Sequence, residues 1–195
     1  LEVKQWGNIK WSSMNGAFRN CVNLKISAED APDFSNVTSM RGMFLGASSL
    51  DSEIGYWDVS NVTDMSYMFY GATSFNGDIS EWNVSNVTDM SAMFFRASDF
   101  NQDIGNWDVG SVVNMSRMFA VARSFNKNLG SWNIKSIVDM SNMLDVSGLS
   151  VENYDSTLIG WAGQSLNMNV PLGASGLEYC NGSFARQHLT DYYNW

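Results

Sequence analysis

The chain has little of what most catalytic and metal chemistry requires. Among its 195 residues there is one histidine, His188, and there are two cysteines, Cys21 and Cys180. A single imidazole provides no His-based metal cluster, and no GxSxG, HExxH or P-loop pattern occurs. Two thiols do not make a disulfide scaffold. They also fall near opposite ends of the chain, so their Cα atoms are not expected within the roughly 7 Å that a disulfide needs. Proline is confined to Pro32 and Pro171. Positive charge is scarce as well: 11 Lys and Arg against 20 Asp and Glu give a net charge of −9, which argues against nucleic acid as a partner. No apolar run approaches the ~18 residues of a membrane span, so no membrane insertion is expected. The chain opens at Leu1 without a signal-peptide pattern, and reads as a processed or excised piece of a multidomain protein.

What is abundant is repetition. Trp57, Trp82, Trp107 and Trp132 are spaced by 25 residues, as are Met65, Met90, Met115 and Met140. Self-similarity at such a period is the mark of a repeat array. With 45% apolar and 13% aromatic residues, the chain can build a core. The spacing divides it into an amino-terminal cap with a degenerate first coil (1–30), regular coils (31–147) and a closing module (148–195), in one elongated domain.

Within one period the pattern changes. Ile79, Trp82, Val84, Val87 and Met90 resemble the leucine-rich consensus, and the alternation around Trp82 and Val84 predicts a short half-buried strand. Met90, Met93, Phe94 and Ala97 then follow i, i+3, i+4, i+7 spacing, which predicts about two helical turns. Ser13, Ser39, Asp64, Asp89, Asn114 and Asp139 precede that segment in six units, and all are preferred helix N-caps. The expected fold is therefore an α/β repeat solenoid, with one short strand and one short helix per coil and a cap at each end. In the closing module, helices are expected from Ser150 and from near Asn181 or Ser183, with a last short strand at Val170.

The run WDVSNVTDMSYMFYGATSFNGDISEW resembles the repeat of BspA-like leucine-rich bacterial surface proteins, and Ala17–Cys21 (AFRNC) resembles its treponemal variant. The run NYDSTLIGW…VPLGASGLEYCNGSFAR resembles the terminal module of Bacteroidetes-type surface proteins. The resemblance implies a right-handed leucine-rich solenoid, a secreted or cell-surface location, and adhesion or ligand binding.

Function is sought on the polar side of the expected strands, where Asp33, Asp58, Asn83, Asp108 and Asn133 align in register, flanked by Tyr56, Glu81 and Asn106. Such a concave strip suits a protein or glycan partner, or Ca²⁺; no other cofactor is expected. A passive spacer and a Ca²⁺-dependent carbohydrate-binding module are the alternatives. Catalysis is not expected, because the carboxylates recur with the repeat, whereas a catalytic pair belongs to one place. A second row, Leu45, Tyr70, Phe95 and Ala120 with Tyr67 nearby, reads as the partly buried border of the core. The Asn36, Asn61 and Asn86 triplets match glycosylation sequons, but read as structural turn residues.

Overall fold

The computed structural model describes residues 1–195. Regular secondary structure is confined to its ends. Strand β1 (Glu2–Val3) pairs in parallel with β2 (Lys25–Ile26), in the register Glu2 to Lys25 and Val3 to Ile26. Helices α1 (Val151–Ala162) and α2 (Ser183–Tyr193) pack against each other near the carboxyl end. Between residues 27 and 150 the chain contains only turns and isolated bridges. The expected α/β solenoid of leucine-rich, BspA-like type is overturned: a strand and a helix per coil do not form.

Hydrogen bonding explains why. In the unit beginning at Met65, the N–H groups of Met65, Tyr67, Phe69 and Gly71 donate to Asp89, Ser91, Met93 and Phe95, over 2.8–3.0 Å. The intervening N–H groups of Met68, Tyr70 and Ala72 close turns on the carbonyls three residues back. Alternate amides thus leave the unit and stay within it, so the i to i−4 ladder of a helix cannot develop. The geometry also requires left-handed residues, at Tyr67 (φ 60°) and Gly71 (φ 66°) and again at Ala92 (φ 52°) and Arg96 (φ 59°).

The strand expected around Trp82 fails for a related reason. Trp82 and Val87 close turns on Ile79 and Val84, and the amides of Ser80 and Ser85 are taken by the side chains of Asp78 and Asn83. Few N–H groups remain for a ladder. The alternation survives only in burial, with Trp82 and Val84 inside and Glu81 and Asn83 outside. The residues read as N-caps keep the same logic without a helix. Asp64, Asp89, Asn114 and Asp139 accept from the amide two residues on, at 2.8–2.9 Å, which is an Asx turn. They also form the parallel bridges Ser39 to Asp64, Asp64 to Asp89, Asp89 to Asn114 and Asn114 to Asp139.

Inside the turns lies one cluster of 53 buried apolar residues. Phe69 stacks on Phe75 at 4.1 Å, and the pairs Phe94–Phe100 and Phe119–Phe125 repeat this at 3.9 and 4.0 Å. Each buried tryptophan removes roughly 150–250 Å² from water, about 4–6 kcal/mol of gross transfer energy.

The closing module then seals the last unit. Met140, Leu144 and Val146 donate to Pro171, Gly173 and Ser175, so the strand expected at Val170 contributes only the isolated bridge Met140 to Leu172. Ser150 caps α1 by accepting from the Asn153 amide, and α2 starts at Ser183. A Cβ on Gly160 would collide with the backbone of Gly130, so α1 lies directly on the preceding unit. Cys21 is half-buried and Cys180 exposed, and both are free thiols.

Candidate binding faces

The polar row singled out in the sequence lies on the surface: Asp58, Glu81, Asn83, Asn106, Asp108 and Asn133 are exposed, Asp33 is half-buried and Tyr56 is 46% exposed. Five of the row's eight side chains turn an oxygen back on their own chain. Asp33, Asp58, Asn83, Asp108 and Asn133 each accept from the amide two residues later, over 3.0–3.4 Å. The Ser60 hydroxyl, at 2.6 Å, and the Ser60 amide hold the Asp58 carboxyl below the usual aspartate range. Ser35 does the same for Asp33. The Tyr56 hydroxyl donates to the Ala28 carbonyl at 3.0 Å. The strip therefore acts first as turn chemistry, and the strand face expected to carry it does not exist. No group of three or more His, Cys, Asp or Glu side chains is placed to hold a metal ion. Asn61 and Asn86 donate through their side-chain amides to the carbonyls of Ser35 and Ser60, so these sequon residues tie one unit to the one before.

A second face has a different character. Segments 51–61, 76–86, 101–111 and 126–136 hold seven carboxylates and two lysines. Segments 15–22, 41–48, 66–73, 91–98 and 116–123 hold five arginines and no carboxylate. There the Arg41 guanidinium lies 4.7 Å from the Tyr67 ring centre and donates to the Ser66 hydroxyl at 2.8 Å. Tyr67 leans on Tyr70 at 5.9 Å, Tyr70 stacks on Phe95 at 4.7 Å, and Arg96 sits 5.2 Å from the Phe95 ring. The three rings are half-buried and both arginines exposed. Beside them a shallow hollow of about 520 Å³ is bounded by Arg19, Arg41, Leu45 and Tyr67.

Leu45, Tyr70 and Phe95 were expected to be partly buried and are; Ala120 is fully buried. The arginines lie outside the expected row. Their signal is in the sequence: all five fall within the nine residues that follow Met14, Met40, Met90 or Met115, in a chain otherwise rich in acid. Also unread was the ladder Asn76, Asn101 and Asn126, in which the amides of Asn101, Asn126 and Ser150 donate in turn to the preceding Asn side chain, each at 2.9 Å.

These observations define a turn-built protein of 25-residue period with a charge-segregated surface. The chain belongs to the family described as Mycoplasma protein of unknown function, DUF285, which matches residues 12–109 and again residues 77–165. No curated protein and no solved structure matches it. No helix is long and apolar enough to cross a membrane.

Proposed function

We propose that this chain is a non-catalytic recognition module, working outside the cell or on its surface, that holds a negatively charged protein or glycan partner against its arginine–aromatic face. The observation that carries this reading is the continuous series Arg41, Tyr67, Tyr70, Phe95 and Arg96, with ring and guanidinium contacts of 4.7–5.9 Å. Arginine over an aromatic ring presents a preorganised, weakly hydrated cation, suited to carboxylate or sulfate.

The face is built on costly backbone. Tyr67 and Arg96 adopt left-handed φ values of 60° and 59°. At the corresponding places of the preceding units stand Gly42 and Gly71, with φ of 59° and 66°, for which that conformation is nearly free. A bulky side chain there costs about 1 kcal/mol or more, and Val121 and Val146 carry the same cost in later units, so the cost belongs to the turn and the face is argued from its contacts.

The test is binding of polyglutamate and of a sulfated glycan, with neutral dextran as control. A triple variant Arg41→Ser, Tyr67→Gly, Phe95→Ser provides the comparison. The anionic polymers should bind the native chain, weaken as ionic strength rises, and lose most affinity for the variant. Equal binding by native and variant chains would overturn the assignment. Binding of no probe at all would leave a passive spacer as the better description.

A further inference from the structure

A second site lies in the closing module, away from the arginine–aromatic face. Between α1, α2 and the loop joining them is a cavity of about 330 Å³, walled mainly by apolar side chains. That volume is at the small end of ligand pockets, roughly 300–1,000 Å³. Leu158 and Leu189 form its floor, and both are buried. Leu177 and Tyr179 contribute from the loop.

Polar groups share this space with the apolar side chains: Ser175, Thr190 and Arg186 line it, and Tyr154 adds a hydroxyl. Tyr154 is only 4% exposed and lines the cavity. Its hydroxyl makes no hydrogen bond within the chain, whereas the hydroxyls of Tyr56 and Tyr193 bond to backbone carbonyls. The oxygen is not among the chain's fully enclosed unpaired atoms, so it opens into the cavity and is free to bond what enters. At the mouth, the Arg186 guanidinium lies 5.0 Å from the Tyr179 ring, and it has no carboxylate partner, since the chain's one ion pair joins Lys4 to Glu2. The neighbouring buried carboxylate, Asp155, is engaged by the amides of Cys180 and Asn181, at 3.0 and 2.7 Å.

We infer that this cavity binds a small apolar molecule ending in a carboxylate, with the apolar body against Leu158 and Leu189 and the carboxylate between Arg186 and the Tyr154 hydroxyl. Burial pushes the Tyr154 pKa upward, so the hydroxyl is a proton donor at neutral pH. A cation and a neutral donor converging in an apolar surround complement an anionic head and an apolar tail. The same chemistry occurs in a free aromatic or medium-chain acid and in the carboxyl terminus of a peptide with an apolar last residue.

Titration calorimetry tests this on the whole chain, with tryptophan fluorescence as a second readout, the part due to Trp195 in the cavity wall being obtained by difference from a Trp195→Phe chain. The first pair of probes is octanoate and octanol. Octanoate should bind about tenfold tighter or more, and Arg186→Gln should remove that advantage while leaving octanol binding and the melting temperature unchanged. Equal binding of acid and alcohol overturns the inference. So does octanoate binding that survives Arg186→Gln, and so does the absence of binding by either probe. The second pair is a peptide ending in a free phenylalanine carboxylate and its amide. Preference for the free carboxylate, with affinity above that of octanoate, assigns the site to peptide termini; no peptide binding beside tight octanoate assigns it to free acids. Ala174→Phe, which fills the cavity from its wall, should abolish binding of the favoured probe in a chain that still melts cooperatively.

Discussion

The indole N–H of Trp107 donates to the carbonyl of Ile79, 3.1 Å away and 28 residues earlier in the chain. Trp82 and Trp132 make the same bond to Ile54 and Ile104. Trp161 extends it from α1 to Leu129 at 2.9 Å. The tryptophan row is therefore both core and tie: apolar area inward, one polar bond backward to the previous unit. Trp57 breaks the rule, since its indole nitrogen is buried without a partner.

That exception makes a paired experiment. Trp107→Phe should lose about 1–3 kcal/mol of stability, from the lost bond and the smaller ring. Trp57→Phe removes a buried orphan donor whose burial itself costs about 1–3 kcal/mol, so its loss should be at least ~1 kcal/mol smaller. Chemical denaturation of the two variants compares them directly; equal losses would show that the indole bond contributes little. Trp82→Ala, which empties the position entirely, should cost about 3–5 kcal/mol.

Acid behaviour follows from Asp58. Its folded pKa is depressed by the Ser60 hydroxyl and amide. A depressed carboxyl contributes stability that is fully present above its unfolded pKa of ~3.9 and is lost as pH falls through the lower folded value. Ser60→Ala should raise the Asp58 pKa toward the ordinary value. Carbon-detected NMR titration of the Asp58 carboxyl in both chains gives the answer, and an unchanged midpoint would mean the hydroxyl is not a donor in solution.

Val146 offers a stabilising change. It is β-branched, 46% exposed, and held at φ 56°. Val146→Gly relieves a left-handed cost of about 1–2 kcal/mol and adds about 0.5–1 kcal/mol of chain entropy to be lost on folding. The net expectation is a gain of about 0.5–1 kcal/mol, read from the denaturation midpoint. A loss of stability would show that Val146 packs more than its exposure suggests.

The period and its register were legible in the sequence, because identical tryptophans and methionines at a fixed step must meet their counterparts in the next unit. The inward residues were legible too. Their secondary structure was not: Met90, Met93, Phe94 and Ala97 point inward on a helix, and they also point inward on successive turns closed three residues back. Side-chain spacing cannot separate those backbones. The deciding feature was a left-handed residue at every second turn, and Tyr67, Ala92 and Arg96 are not residue types that announce it. The aspartates expected to cap helices accept from a nearby amide as Asx turns instead, with no helix after them. At the candidate sites, the arginine–aromatic face is written in the charge pattern, whereas the cavity beside Tyr154 depends on how two helices meet.

The hydrogen bonds that leave each unit reach about one period along the chain, as in Met65 to Asp89 and Met90 to Asn114. A force applied to the two termini would therefore load one interface at a time instead of shearing many at once. Each rupture frees about 25 residues, up to ~85 Å of extended chain. Such a molecule would lengthen under tension in steps of one unit.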